Sequence, residues 1–134
     1  MAYTEDERAF LESHVWAVLA TGRRDGSPQQ GMVGYTLDGE GRLLISTRTP
    51  TARWNNIERN QRVSVTVPDG HVHLLLYGTA ELIADDPERA ERTADILAVV
   101  RGPERPDPTS ILGWMNEERR GVVRITATKV LLHH

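Results

Sequence analysis

Turn-forming clusters interrupt this chain at short intervals, and that spacing constrains the fold more than any other feature. Arg24-Asp25-Gly26-Ser27-Pro28, Asp38-Gly39-Glu40-Gly41 and Pro68-Asp69-Gly70 each separate runs of strand length. Glycine supplies the positive φ of a tight hairpin, while Asp and Ser side chains bond their own backbone a residue or two on. Five strands are expected around them, at Val15 to Thr21, Gln29 to Leu37, Arg42 to Thr47, Arg62 to Val67 and Val72 to Ile83, and a sixth at Gly121 to Leu131. Arg62 to Val67 alternates strictly, with Val63, Val65 and Val67 on one face. Val15 to Thr21 is almost wholly apolar and reads as a strand buried on both faces. Gly78 interrupts the longest run and marks a bulge or barrel corner.

Short helices fill the gaps. Thr4 with Glu7 three residues on is a capping-box pattern, opening a helix to about Ser13. Thr49-Pro50 reads as N-cap and first helical residue of a helix to about Asn60. Asp86-Pro87 opens a helix to about Val100, with Gly102 beyond it, and Asp107-Pro108 caps a last one to about Arg119. Glu88 to Glu91, with Arg89 and Arg92, reads as a solvated charged face. Six strands joined by tight hairpins, with short helices beside them, imply a mainly β (α+β) six-stranded antiparallel barrel.

At 134 residues, with no repeat and no boundary, one domain over 1–134 is expected. A net charge of -3 offers no bulk attraction to a polyanion, so nucleic acid is not expected as a partner. No cysteine is present, which removes disulfides, thiol catalysis and thiolate metal sites. No apolar run approaches a membrane span, and the N-terminal residues lack a basic-then-apolar signal, so a cytoplasmic protein without membrane contact is expected. His71 and His73 share a strand face, but with no third ligand nearby they read as surface histidines, and no metal site is expected. The hydrophobic share of 39% is modest, and a second copy of the chain is expected to cover part of the apolar surface.

Two stretches carry chemistry. In Ile45-Ser46-Thr47-Arg48-Thr49-Pro50-Thr51-Ala52-Arg53 a strand runs through a turn into a helix. A helix N-terminus presents unpaired N–H groups and partial positive charge, which suit a phosphate. Ser46 and Thr47 add hydroxyls, and Arg48 and Arg53 flank the same point. The same residues are equally consistent with a capped helix carrying two solvated arginines. In Pro28 to Tyr35, Gly31 and Gly34 are unfavourable within a strand unless something approaches the backbone closely. A planar ring along the strand would do so, and so would barrel curvature. Gln30 and Met32 share a face with Gly34. Trp54 either stacks on a ligand or packs on the barrel; Trp114 and Met115 read as core or dimer interface. No catalytic acid stands out.

The ordered set of segments resembles a known family. The "VLAT…DG-P" hairpin, the "GY-LD" strand, "LLIST" and "ARWNNIERNQRVSV" are similar to the pyridoxamine 5′-phosphate oxidase-like flavin-binding split barrels, as are "LLYGTAEL" from Leu75 and "WMNEERRGVVRI" from Trp114. Within that family the chain most resembles the small branch that uses the deazaflavin coenzyme F420. The resemblance implies a split barrel with a cofactor, F420 or alternatively FMN, and hydride transfer to an electron-poor double bond of a small-molecule substrate. A non-catalytic flavin binder is the alternative from another class. The resemblance places the phosphate-binding basic residue at Arg53, the hydroxyl donors at Ser46 and Thr47, and the ring-contacting strand at Gln30 to Val33, Met32 included; Arg48 joins this set from the reading of the strand-turn-helix above. It implies a homodimer with the cofactor between subunits, Arg119 or Arg120 reaching the neighbour's site. The chain lacks the "R-L-x-P" ending of the phosphate-ester oxidases, so oxidation of pyridoxamine phosphate is not expected. Fifteen arginines against one lysine suit a GC-rich genome, which favours the deazaflavin.

Overall fold

The computed structural model describes residues 2–134. Six strands, β1 (Trp16–Gly22), β2 (Pro28–Leu37), β3 (Leu43–Arg48), β4 (Arg62–Asp69), β5 (Val72–Ile83) and β6 (Arg120–His133), close into one barrel. The order around it is β1-β2-β3-β6-β5-β4, with every neighbouring pair antiparallel. Four helices lie against it: α1 (Glu5–Glu12), α2 (Ala52–Arg59), α3 (Glu88–Val100) and α4 (Leu112–Glu118). The expected barrel and each expected strand are present, and the last strand runs two residues further, to His133, whose ring stacks on His73.

Alternation builds the interior. Ala17, Leu19, Val33, Tyr35, Leu43, Ile45, Val63, Val65, Val67, Leu74, Leu76 and Ile125 all point inward and are buried. Each such aliphatic side chain withdrawn from water contributes about 1.5–3 kcal/mol before the entropy of ordering it. Leu11 of α1 closes one end, where its carbonyl accepts a 2.6 Å hydrogen bond from the buried Tyr35 hydroxyl. The α1 capping box forms as read, Thr4 Oγ1 accepting from the Glu7 N–H and Glu7 Oε1 from the Thr4 N–H. A second cluster outside the barrel joins Leu44, Ile83 and Val122 to Ile96 of α3.

Three local expectations are corrected. β1 is not buried on both faces: Ala17, Leu19 and Thr21 are inside, while Trp16, Val18 and Ala20 face outward. The doubly covered strand is β3, whose Leu43, Leu44 and Ile45 are all fully buried because α3 covers its outer side. The helix after β3 is capped by Thr51 rather than Thr49, Thr51 Oγ1 accepting from the Trp54 N–H, so it starts two residues late. The last helical segment is broken into a single 3-10 turn, Pro108–Ile111, followed by α4.

Gly78 does sit at the bulge: the β5–β6 register shifts between Tyr77 and Gly78, and a Cβ there would strike the Thr126 carbonyl. Most important for function is a short seam. β2 pairs with β3 only over Tyr35↔Ile45, Thr36↔Leu44 and Leu37↔Leu43, and beyond Tyr35 the two strands part.

Candidate functional site: a groove at the split between β2 and β3

The parting strands leave a gap, and α2 follows directly from β3, so Arg53, in its first turn, reaches back into that gap. Its Nη1 donates to Thr47 Oγ1 of β3 at 3.1 Å. Its Nη2 lies over the bare backbone of Gly31 in β2, where a Cβ would stand 2.5 Å away. One guanidinium therefore bridges the split. It is half-buried, and burial lowers its pKa from the ordinary arginine value. Among the described residues no carboxylate pairs with it, which leaves a desolvated positive charge with one neutral partner. A charge in that condition gains more from an incoming anion than a solvated one does.

Two further features converge there. Ser46 Oγ is enclosed without a hydrogen-bond partner. The first N–H groups of α2 carry the helix's partial positive charge, and Thr51 Oγ1 covers only the Trp54 N–H. Arg53, Thr47, Ser46 and Thr51 all border a groove of about 520 Å³. From that end the groove runs along Met32, Gly34 and Trp16 of the barrel, under Ile96, Leu97 and Val100 of α3, to Arg101, Trp114 and Arg120. Its middle is apolar and its ends are cationic.

The residues expected from sequence fall unevenly in this groove. Ser46, Thr47, Arg48, Arg53 and Met32 border it. Val33 borders it too, but its side chain belongs to the barrel core. Gln30 lies instead in an adjoining recess of about 140 Å³ with Thr51, Ala52 and Arg53. Arg48 stands at the exposed rim with its Nη2 held by Glu118 at 2.8 Å. The glycines have explanations within the chain: Gly31 clears Arg53, and Gly34 clears Val100, whose methyls would stand 2.9 and 3.0 Å from a Cβ. Trp54 packs on Gly121 and does not face the groove. Arg119 is exposed and turns the chain into β6 from a left-handed conformation at φ 55°. That turn directs Arg120 to the groove of its own subunit, over Trp114 at 5.2 Å. The groove wall from α3, including Leu97, Val100 and Arg101, was not anticipated; its only sequence signal was the apolar i, i+3, i+4 spacing of Ile96, Val99 and Val100.

A closed barrel whose strands part over a half-buried arginine defines the class: a split barrel with a groove at the split. Comparison with known proteins then places the chain further. Residues 3–134 match the family model described as pyridoxamine 5′-phosphate oxidase, and the chain belongs to that family of flavin-binding split barrels, which includes oxidoreductases. Among solved structures it is similar to a conserved hypothetical protein of Mycobacterium tuberculosis, with 25% identity, a TM-score of 0.82 and coverage of 99% of this chain and 86% of that one. It is likewise similar to a protein named F420 reductase, with 25% identity and a TM-score of 0.73 over 96% of this chain and 98% of that one. The general stress protein 26 of Bacillus anthracis shares the fold at 16% identity, a TM-score of 0.67 and coverage of 94% and 89%. No described helix is long and apolar enough to cross a membrane, and no described group of three or more His, Cys, Asp or Glu is placed to hold a metal.

Proposed function

We propose that this chain is an F420-dependent oxidoreductase that transfers a hydride to an electron-poor double bond of a small organic acceptor. The observation that carries the proposal is Arg53, bridging the split with no carboxylate partner and with the orphaned Ser46 hydroxyl on the same groove. This donor set fits a phosphate-bearing cofactor: Arg53, Ser46, Thr47 and the first turn of α2 would hold the phosphate. Met32, Gly34 and Trp16 would offer an apolar wall to a planar ring, with Gln30 near the phosphate end. When bound, the reduced deazaflavin supplies the hydride. The protein's own part is to orient it and exclude water, with Val100 and Leu97 covering the groove. The acceptor gains one hydride at carbon and one proton, supplied by solvent or by the substrate pocket, since no Asp, Glu, His, Lys or Tyr borders the groove among the described residues.

F420 is favoured over FMN by the likeness to the F420 reductase and by the arginine-rich composition. FMN is the second candidate, favoured by the family model itself. Trp16 and Met32, 55% and 59% exposed beside the groove, suit cover by a second copy of the chain, giving a homodimer with the cofactor at its interface. The chain is proposed to act as one domain and in the cytoplasm. Fluorescence titration with F420 and FMN in matched buffer tests the cofactor assignment. F420 is expected to bind more tightly, and equal or reversed dissociation constants contradict it. Oxidation of reduced F420 on addition of a quinone then separates a reductase from a mere binder.

A further inference from the structure

Around Trp114 the groove carries a second group of arginines, distinct from Arg53, with more positive charge than its carboxylate balances. Trp114 carries two guanidinium groups, Arg101 at 5.0 Å and Arg120 at 5.2 Å from its ring centroid. Arg48 lies alongside Arg120 through the Arg48↔Arg120 strand pairing. One carboxylate serves this group: Glu118 accepts from Arg48 at 2.8 Å and from Arg120 at 2.8 Å. Arg101, exposed at the C-cap of α3, has no carboxylate partner among the described residues. Three other arginines on this side of the molecule are paired: Arg92 and Arg105 with Asp95, and Arg124 with Glu81 and Glu88.

Arg101 and Leu97 also border a second basin of about 510 Å³, whose other walls are Pro103, Pro106, Ile111, Gly102 and the exposed Glu104. The proline-containing segment 102–108 thus forms an apolar basin that adjoins the groove through those two shared residues. An apolar wall with one guanidinium free of a carboxylate at the junction favours a molecule with an apolar body and one anionic group, which gains an ion pair that a neutral molecule lacks and covers a wall that a purely ionic one leaves wet.

Resting on the F420-dependent function proposed above, we infer that the acceptor is an apolar carboxylate, its body seated against Leu97, Pro106 and Ile111 and its carboxylate held by Arg101 beside Trp114. Arg101 is then a specificity-determining residue. The planar fork of its guanidinium matches a carboxylate, and its contact with the Trp114 face limits the positions it takes up.

Trans-cinnamate and its neutral isostere cinnamamide are the probes, with binding measured by calorimetry on F420-loaded protein after F420 affinity has been measured for each variant. Cinnamate is expected to bind about tenfold more tightly than cinnamamide. Arg101→Ala is expected to abolish that preference, Arg101→Lys to retain part of it, and Ile111→Asp to weaken both ligands. Failure of the wild-type chain to bind F420 overturns the function proposed above. Binding of F420 with equal affinity for the two probes, with no affinity for either, or with the preference intact in Arg101→Ala overturns the acceptor subsite alone.

Discussion

Arg53 and Arg89 both leave bulk water, yet the chain equips them in opposite ways. Arg89, 8% exposed, donates from Nε and Nη2 to Asp86 at 3.1 and 2.8 Å, from Nη2 to Asn116 Oδ1 at 2.9 Å, and from Nη1 to the Arg120 carbonyl at 3.2 Å. It ties α3 to the end of α4 and the start of β6. Arg53 has one neutral hydroxyl partner at the mouth of an open groove. A saturated guanidinium acts as a brace, whereas one with donors to spare is poised for an anion. Burial alone does not distinguish structure from function; the partner count does.

The largest expected consequence of this contrast falls on stability. Arg89→Ala removes the ion partner of Asp86, which keeps only the Ala90 N–H, and the tie between α3 and β6, for a loss of about 2–3 kcal/mol in urea unfolding. A loss below half a kcal/mol would remove the brace from the account. Next come the two glycines, which share a strand and differ in what they clear. Gly34→Ala presses on Val100 and is expected to destabilise by about 1–3 kcal/mol. Gly31→Ala displaces the end of a flexible arginine, so its effect is expected on cofactor affinity, about tenfold, more than on unfolding. Equal loss of stability in both variants would show that Arg53 is locked in place by packing.

Smaller effects follow from the paired carboxylates. The hydrogen bond from Arg89 holds the Asp86 carboxyl below the usual carboxylate range, and that from Arg124 does the same for Glu81. A depressed folded-state pKa contributes stability that is complete above the ordinary carboxylate pKa and is lost as pH falls through the folded value. Melting temperature should therefore drop between pH 6 and pH 3, and Asp86→Asn should show a shallower drop than wild type. Identical slopes would assign the acid loss to other groups. The smallest effect concerns Arg119, which takes a positive φ without being glycine. Arg119→Gly is expected to gain up to about 1 kcal/mol, and a loss would mean that its side chain makes a contact of its own.

Much of the barrel was legible because hairpin turns and alternation are local signals. The bulge at Gly78 and the α1 capping box were readable for the same reason. Pro50 suits a first helical position and so points to Thr49 as the cap; in the structure the helix starts later and Thr51 Oγ1 accepts from the Trp54 N–H. Arg89 reads as solvated in the sequence because Asn116 and the Arg120 carbonyl lie 27 and 31 residues away, and no local pattern announces them. The site was legible on the β3–α2 side, where strand, turn and helix are contiguous. Its α3 wall and the Trp114 end were not, since they reach the groove only after the barrel has closed. The glycines of β2 signalled close approach correctly but not by what: here Arg53 and Val100 fill the space.

The central claim is that Arg53 waits for a phosphate, and one titration tests it directly. F420 binding is measured by fluorescence for wild type, Arg53→Ala and Arg62→Ala, the last an exposed arginine of β4 without a side-chain partner among the described residues. A charge-assisted bond to phosphate contributes about 1.5–3 kcal/mol, so Arg53→Ala should weaken binding roughly tenfold to a hundredfold. Arg62→Ala should bind like wild type, and added salt should weaken wild type more than Arg53→Ala. Undiminished F420 affinity in a folded Arg53→Ala protein would contradict the account and reduce the arginine at the split to a plug between two strands.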